Sequence, residues 1–123
     1  MNQNPRRILL IEDNDVIRRF LKIGLENEGY ALREAGNGHQ GLDMMRDWTP
    51  DLVVLDMMMP VMDGFHFLNW RNQNWPDIPV LVLTGMKQPD SEQRILNAGA
   101  SAVLFKPVPL AGLLEQIKQM LPT

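Results

Sequence analysis

The sequence contains no cysteine among its 123 residues, and it contains only two histidines. Without cysteine the chain has neither disulfides nor thiolate metal sites, which fits a reducing compartment. No apolar run approaches the roughly 20 residues that a membrane-spanning helix needs. The start of the chain leads into only four apolar residues, too few for a signal peptide. We therefore expect a cytoplasmic protein that makes no contact with a membrane.

The chain also lacks an excess of positive charge. Twelve lysines and arginines stand against fifteen acidic residues, giving a net charge of −3. Domains that bind nucleic acid usually carry a basic patch, so this balance predicts no direct contact of this chain with nucleic acid. A length of 123 residues and 45% hydrophobic content fit one domain, residues 1–123, with a sizeable core.

Short apolar runs recur along the chain and predict β-strands. Four of them are apolar at every position: Ile8–Ile11, Leu52–Leu55, Val80–Leu83 and Ala102–Phe105. Runs without polar alternation are typical of strands buried on both faces of a parallel sheet. Residues 30–35 form a more alternating segment, which we expect at an edge of the sheet.

Helical patterns separate these strands. They begin near residues 14, 39, 63, 89 and 109, and Asn37-Gly38 is interpreted as a turn before the second. In the first helix, apolar residues recur at the three-to-four spacing that is typical of a helix: Val16, Ile17, Phe20, Leu21 and Leu25. Five strands alternating with five helices predict an open, doubly wound α/β fold.

Polar side chains follow four of the predicted strands. Glu12 and Asp13 come after the first strand, Asp56 after the third, Thr84 after the fourth and Lys106 after the fifth. The carboxyl ends of parallel strands meet at one edge of a sheet, so these side chains should converge. A lone aspartate after a strand is more often part of an ordinary loop than of a functional site. Several polar side chains that converge at one edge of a sheet, however, indicate a functional site.

This set of side chains suits phosphoryl transfer. Crowded carboxylates need a compensating cation, and oxygen ligands favour Mg²⁺, whereas His39 and His66 lie away from this edge and do not suggest zinc. Asp56 would attack phosphorus and form an acyl phosphate. Lys106 and Mg²⁺ would neutralise the phosphoryl oxygens, and Thr84 would donate a hydrogen bond to one of them.

In their order and spacing, these motifs resemble the response-regulator receiver domains of two-component signalling, including the chemotaxis receivers. The resemblance covers essentially the whole chain and rests on five motifs: Glu12-Asp13, the stretch from Asp56 to Gly64, Thr84-Gly85, Ala98-Gly99-Ala100 and Lys106-Pro107. It implies a flavodoxin-like (βα)5 fold, a three-layer sandwich with a parallel sheet of strand order 2-1-3-4-5.

The resemblance also implies the ligands of the metal. Mg²⁺ is expected on Asp13, on Asp56 and on the backbone carbonyl of Met58, with Glu12 acting through water.

Further positions have structural roles by the same resemblance. Lys106 is expected to contact the phosphoryl group. The Lys106-Pro107 peptide bond is expected to be cis, which proline permits at modest cost. Pro60 and Gly64 shape the loop after the phosphoacceptor, and Gly85 follows the threonine.

One position departs from the family pattern. Receivers usually carry an aromatic residue three positions before the lysine, and it turns inward when the threonine moves; here that position is Val103. Phe105 is expected in the core instead, as a strand residue.

Three residues of the third predicted helix have other interpretations. Arg71 is interpreted as a solvated charge, and Phe67 and Trp70 as either a binding patch or half-buried packing.

The resemblance predicts a signalling phosphoacceptor that assists its own phosphorylation and dephosphorylation, not an enzyme in the usual sense. A histidine kinase or histidine phosphotransfer protein would supply the phosphoryl group to Asp56, and an unknown downstream protein would bind the altered surface. Homodimerisation on phosphorylation is left open, and no output domain is expected in residues 1–123. The alternatives are a phosphorylation-independent interaction module and a small metal-dependent phosphatase, although the chain has no insertion to form a substrate-covering cap.

Overall fold

The fold is a five-stranded parallel sheet in a computed structural model that describes residues 4–57 and 63–121. In chain order the elements are β1 (Arg7–Ile11), α1 (Asp15–Asn27), β2 (Ala31–Ala35), α2 (Gly38–Asp47), β3 (Leu52–Asp56), α3 (Gly64–Asn74), β4 (Val80–Thr84), α4 (Ser91–Asn97), β5 (Ala102–Phe105) and α5 (Leu110–Met120). The strand order is β2-β1-β3-β4-β5 and every pairing is parallel. The predicted flavodoxin-like fold and strand order are confirmed.

Helices cover both faces of the sheet, which makes three layers. Side chains of β1 alternate between two cores: Ile8 and Leu10 pack with α1 and α5, whereas Leu9 and Ile11 pack with α2, α3 and α4. Both faces are therefore covered, which explains why β1, β3 and β4 are apolar along their length. Each such side chain contributes roughly 1.5–3 kcal/mol on burial, so this core holds the strand ends firmly.

The two edge strands are less buried than the three central ones. The prediction that Phe105 packs in the core is wrong, because its side chain is 44% exposed. Phe105 is the last residue of β5, and β5 has only β4 beside it. An apolar run shows that a strand is present but does not show that it lies at an edge.

Two helix starts differ from the sequence interpretation. Asn37 is the N-cap of α2, its side chain accepting a hydrogen bond from Gln40 N at 2.9 Å, and Gly38 is the first helical residue instead of part of a turn. In α4 the first helical residue is Ser91, two positions after Pro89.

None of the helices in the described part of the chain has the length and the apolar composition of a membrane span.

Arg71 is buried, which contradicts the interpretation as a solvated charge. Its Nη1 donates to Asn72 Oδ1 and its Nη2 to the carbonyl of Gly99, each at 2.7 Å. Burial lowers the pKa of Arg71 below its ordinary value. The guanidinium is buried because the turn between α4 and β5 brings the carbonyl of Gly99 to the end of α3, where it needs a donor.

The first helix buries only part of its apolar set. Leu21 and Leu25 pack in the core with α5, but Val16 and Phe20 are exposed. The three-to-four spacing therefore marks a helix but does not show which of its apolar residues face the sheet. The apolar residues form an arc on α1 that is wider than the side of the helix in contact with the sheet, so the residues at one margin of that arc stay exposed.

Candidate functional site

Three carboxylates meet at the carboxyl edge of the sheet, as the sequence predicted. Asp56 is the last residue of β3, and Glu12 and Asp13 directly follow β1, its neighbour in the sheet. A carboxylate oxygen from each of the three lies within 4.8 Å of the others. Glu12 and Asp56 are buried, whereas Asp13 is exposed. The cluster therefore opens to solvent on the side of Asp13.

Lys106 brings a positive charge to these acids. Its Nζ lies 3.2 Å from Asp56 Oδ1 and 3.7 Å from Glu12 Oε1. The backbone holds the lysine in place, since Lys106 N donates to the carbonyl of Thr84 at 2.8 Å. The following peptide bond to Pro107 is cis. The amine thus reaches from the end of the edge strand β5 to the carboxylate at the end of β3.

Thr84 is fully buried at the end of β4, between the acidic strands and β5. Its neighbour Leu83 is in register with Asp56, so the threonine extends one position beyond the phosphoacceptor candidate. Its Oγ1 accepts a hydrogen bond from Met86 N at 3.0 Å. Because the hydroxyl accepts in this bond, its own proton is available for donation.

Burial makes the acidic cluster electrostatically costly. Desolvation, followed by the negative charge of Asp56, raises the pKa of Glu12 from 4.5 to about 7. The N–H of Asn14, which donates to Glu12 Oε2 at 3.2 Å, and the ammonium of Lys106 act in the opposite direction. Among the described residues, no group donates a hydrogen bond to Glu12 Oε1. The site can therefore accept a further positive ligand.

These residues fit a magnesium ion. The three acids supply only oxygen donors, the ligands that Mg²⁺ prefers, and the buried Glu12 Oε1 without a donor is the kind of atom that a cation or its water would satisfy. The side of Asp13 that faces solvent leaves room for the waters that Mg²⁺ usually keeps. The expected ligand Met58 lies outside the described residues.

Gly64 has a packing role that the structure explains. It is the first residue of α3, and its N–H donates to the carbonyl of Met57 at 3.0 Å. A Cβ at this position would lie 2.9 Å from Met57 Cα, closer than backbone atoms allow. Asp63 caps the helix by accepting a hydrogen bond from His66 N at 3.0 Å. Glycine is therefore needed where α3 begins beside β3.

The remaining positions from the sequence interpretation are less constrained. Gly85 has a negative or extended φ, and a Cβ there would meet nothing within 4 Å, so packing does not require glycine. Val103 is half-buried and packs against the core under α2, α3 and α4. Pro60 lies outside the described residues. Phe67 is fully buried and Trp70 about half exposed, so only the second is open to a partner.

Arg18 is a site residue that the sequence interpretation missed. Its Nη1 donates to the backbone carbonyl of Glu12 at 2.7 Å, and its guanidinium also pairs with Asp15 and Glu34. Arg18 thereby fixes the loop that carries two of the acids. Arg18 lies on α1 and Glu12 in the loop before it, so no periodicity within one element indicates this contact.

A parallel (βα)5 domain with three acids, a threonine and a lysine at its carboxyl edge defines the receiver class of signalling domains. Comparison with known proteins shows the same: the response regulator receiver domain family matches residues 8–118, and the chain belongs to that family.

Curated relatives are similar over nearly the whole chain. The response regulator MprA of Mycolicibacterium vanbaalenii is 36% identical over 117 residues, which cover 95% of this chain and 51% of the relative. MprA of Mycobacterium bovis is 36% identical over 115 residues, covering 94% and 50%. The chain therefore spans about half the length of the curated relatives that it matches.

Solved structures agree with this assignment. The chemotaxis protein CheY4 of Vibrio cholerae superimposes with a TM-score of 0.89 at 29% identity, covering 96% of this chain and 100% of the other. A CheY-like response regulator receiver domain protein of Methanospirillum hungatei gives a TM-score of 0.88 at 32% identity, covering 94% and 93%.

Proposed function

We propose that this receiver takes a phosphoryl group onto the carboxylate of Asp56 from the phosphohistidine of a histidine kinase or a histidine phosphotransfer protein. One observation carries the proposal: Lys106 Nζ lies 3.2 Å from Asp56 Oδ1 within a cluster of three acids. An ammonium at that distance is placed to contact the oxygens of a group attached to the carboxylate. On this proposal the protein is a signalling phosphoacceptor, and its product is its own modified form.

The chemistry follows from the side chains at the site. An oxygen of the Asp56 carboxylate attacks phosphorus; the O–P bond forms as the P–N bond of the donor breaks, and the donor imidazole leaves with its electron pair. The ammonium of Lys106 pairs with the phosphoryl oxygens. The hydroxyl of Thr84, which keeps its proton while accepting from Met86 N, donates to one of those oxygens.

Glu12, Asp13 and Asp56 would hold Mg²⁺ beside the acceptor. When bound, the ion neutralises charge on the carboxylates and on the phosphoryl oxygens. The backbone carbonyl of Met58 is a further expected ligand from the family pattern.

We further propose that residues 1–123 act as one receiver domain whose phosphorylation changes the binding of a downstream protein. Two expectations stay predictions for this chain: a cytoplasmic location and the lack of direct contact with nucleic acid. Dimerisation on phosphorylation also stays open.

Intact mass spectrometry tests the proposal. The chain is incubated with acetyl phosphate and Mg²⁺, alongside Asp56→Ala, a sample with chelator, and Asp47→Ala as a matched control that removes an exposed acid elsewhere. One phosphoryl adduct on the wild type and on Asp47→Ala, absent from the other two samples, is expected. No adduct on a folded wild type, with a phosphorylated histidine protein also failing as donor, would contradict the proposal and favour the phosphorylation-independent interaction module.

A further inference from the structure

A cleft between α2 and α3 lies apart from the site at the carboxyl edge of the sheet. Its volume is about 370 Å³, and none of the side chains that line it belongs to that site. Cavities of roughly 300–1,000 Å³ are typical of sites for small molecules. We refer to it as the α2–α3 cleft, bounded by His39, Asp43 and Arg46 of α2, by Trp70 of α3 and by Trp75, which follows that helix.

The wall on the side of α3 is aromatic, and backbone hydrogen bonds hold it in place. Trp70 is about half exposed, and Trp75 is half-buried and packs against the core. Trp75 N donates to the carbonyl of Arg71 at 2.7 Å. Asn74 Nδ2 donates to the carbonyl of Trp70 at 2.9 Å. With the buried side chain of Leu42 from α2, the two indoles form an apolar surface that a planar ring can pack against.

The wall on the side of α2 is polar. His39, Asp43 and Arg46 are four and three positions apart, so they share one face of the helix. Arg46 Nη1 donates to Asp43 Oδ1 at 3.0 Å, and both side chains are mostly exposed. An exposed ion pair contributes little to stability, so it does not prevent Arg46 from binding a second carboxylate.

Hydrogen-bond donors outnumber acceptors in the α2–α3 cleft. Within the described part of the chain, Nε and Nη2 of Arg46 have no acceptor, and neither the indole N–H of Trp70 nor that of Trp75 has one. An indole offers a donor and no acceptor. The carboxylate of Asp43 already pairs with Arg46. The cleft is therefore suited to a ligand that brings acceptors and a negative charge.

We propose that the α2–α3 cleft binds a small planar aromatic molecule that carries a carboxylate. The ring packs against Trp70 and Trp75, because aromatic rings in offset or edge-to-face contact attract one another. The carboxylate accepts from Nε and Nη2 of Arg46, which form one side of the planar guanidinium and match the two carboxylate oxygens. The binding needs neither a metal nor a phosphoryl group, so it does not depend on the phosphorylation of Asp56.

Titration with indole-3-acetate, followed by ¹H–¹⁵N correlation spectra, tests the proposal. The chain has three tryptophans, so three indole N–H signals report on binding. Trp70→Phe and Trp75→Phe assign two of them, and both should shift as the probe is added. The signal of Trp48, which does not line the cleft, should stay in place. A probe of this size should bind with a dissociation constant on the order of 1 mM.

Two analogues of the probe test the charge of the ligand. Indole-3-acetamide has the same shape without the charge and should bind roughly three- to tenfold more weakly. Tryptamine carries a positive charge and should bind more weakly still, because it meets Arg46. An analogue that binds as tightly as indole-3-acetate would overturn the proposal.

Three variants test the role of Arg46. Arg46→Gln should weaken the binding of indole-3-acetate roughly three- to tenfold and leave that of indole-3-acetamide unchanged. Asp43→Asn removes the carboxylate that competes for Arg46 and should tighten the binding of indole-3-acetate. Arg19→Gln, at an exposed arginine on α1, is the matched control and should change nothing.

Four other outcomes would also overturn the proposal. These are signals of Trp70 and Trp75 that do not move at about 10 mM probe, equal shifts of all three indole signals, an Arg46→Gln variant that binds like the wild type, and weaker binding by Asp43→Asn. The substituted charged side chains are exposed, and the dispersion of the amide signals checks that each variant is folded.

Discussion

Replacing Glu12 with glutamine should stabilise the metal-free protein at alkaline pH. Burial and the charge of Asp56 raise the pKa of Glu12 from 4.5 to about 7. Between those two pH values the unfolded chain loses the Glu12 proton while the folded protein retains it. The free energy of unfolding therefore falls as pH rises through this window, and the full loss is reached above about pH 7.

The difference between 4.5 and about 7 sets the size of the effect. At about 1.4 kcal/mol per pH unit it corresponds to about 3 kcal/mol of destabilisation at high pH. Glutamine has nearly the same shape as glutamate but never carries the charge. Glu12→Gln should therefore be more stable than the wild type by up to about 3 kcal/mol at about pH 8 and should match it near pH 4.5.

Urea unfolding in the presence of a chelator, followed by far-UV circular dichroism at a series of pH values, measures this difference. Asp47→Asn, which neutralises an exposed acid, is the matched control and should show no comparable gain. The reasoning would be refuted if the free energies of unfolding of wild type and Glu12→Gln differed by the same amount at both ends of the pH series. A Glu12→Gln variant that is less stable than the wild type at every pH would also refute it.

Three further predictions concern packing, a buried cation and the metal. Gly64→Ala should destabilise by about 1–3 kcal/mol in urea unfolding, because its Cβ would lie 2.9 Å from Met57 Cα, while Gly112→Ala, with nothing within 4 Å, should not. Arg71→Met should lower the free energy of unfolding by about 1–3 kcal/mol, since the carbonyl it contacts loses its donor. Mg²⁺ titrations at two pH values should show tighter binding at about pH 8 than at about pH 6, because the Glu12 proton must leave; equal affinities would contradict this.

Much of the fold could be predicted from local sequence, because the central strands obey a simple rule. Strands buried on both faces are apolar throughout, so β1, β3 and β4 stand out in the sequence. The strand order came from the family resemblance. Edge positions were harder: Phe105 belongs to an apolar run yet is exposed, because burial there depends on which strand lacks a neighbour. The burial of Arg71 cannot be predicted from local sequence, because its partner, the carbonyl of Gly99, is 28 residues away in the sequence.

The site was easier to predict than the surface. Parallel strands deliver their last residues to one edge, so Glu12, Asp56 and Lys106 could be placed together from their positions alone, and the structure brings them into contact. The direction of the Thr84 hydroxyl, which accepts a hydrogen bond from the next loop, could not be predicted, because it depends on where Met86 N lies.

The acidic cluster and the core beneath it have opposite effects on stability, and both are needed. The carboxylates of the cluster would repel one another less if they were exposed to water. An exposed Asp56 would not hold Lys106 at 3.2 Å, however, because an exposed ion pair contributes little to stability. Burial strengthens the pairing and raises the pKa of Glu12 by the same loss of solvent. Ionising Glu12 destabilises the fold by about 3 kcal/mol. The strands that carry the cluster have the opposite effect, because nearly all of their apolar side chains are inaccessible to water. A cation or a phosphoryl group with its metal removes part of that destabilisation, so binding at this edge should be strongest where the unliganded cluster is least stable, above the pKa of Glu12.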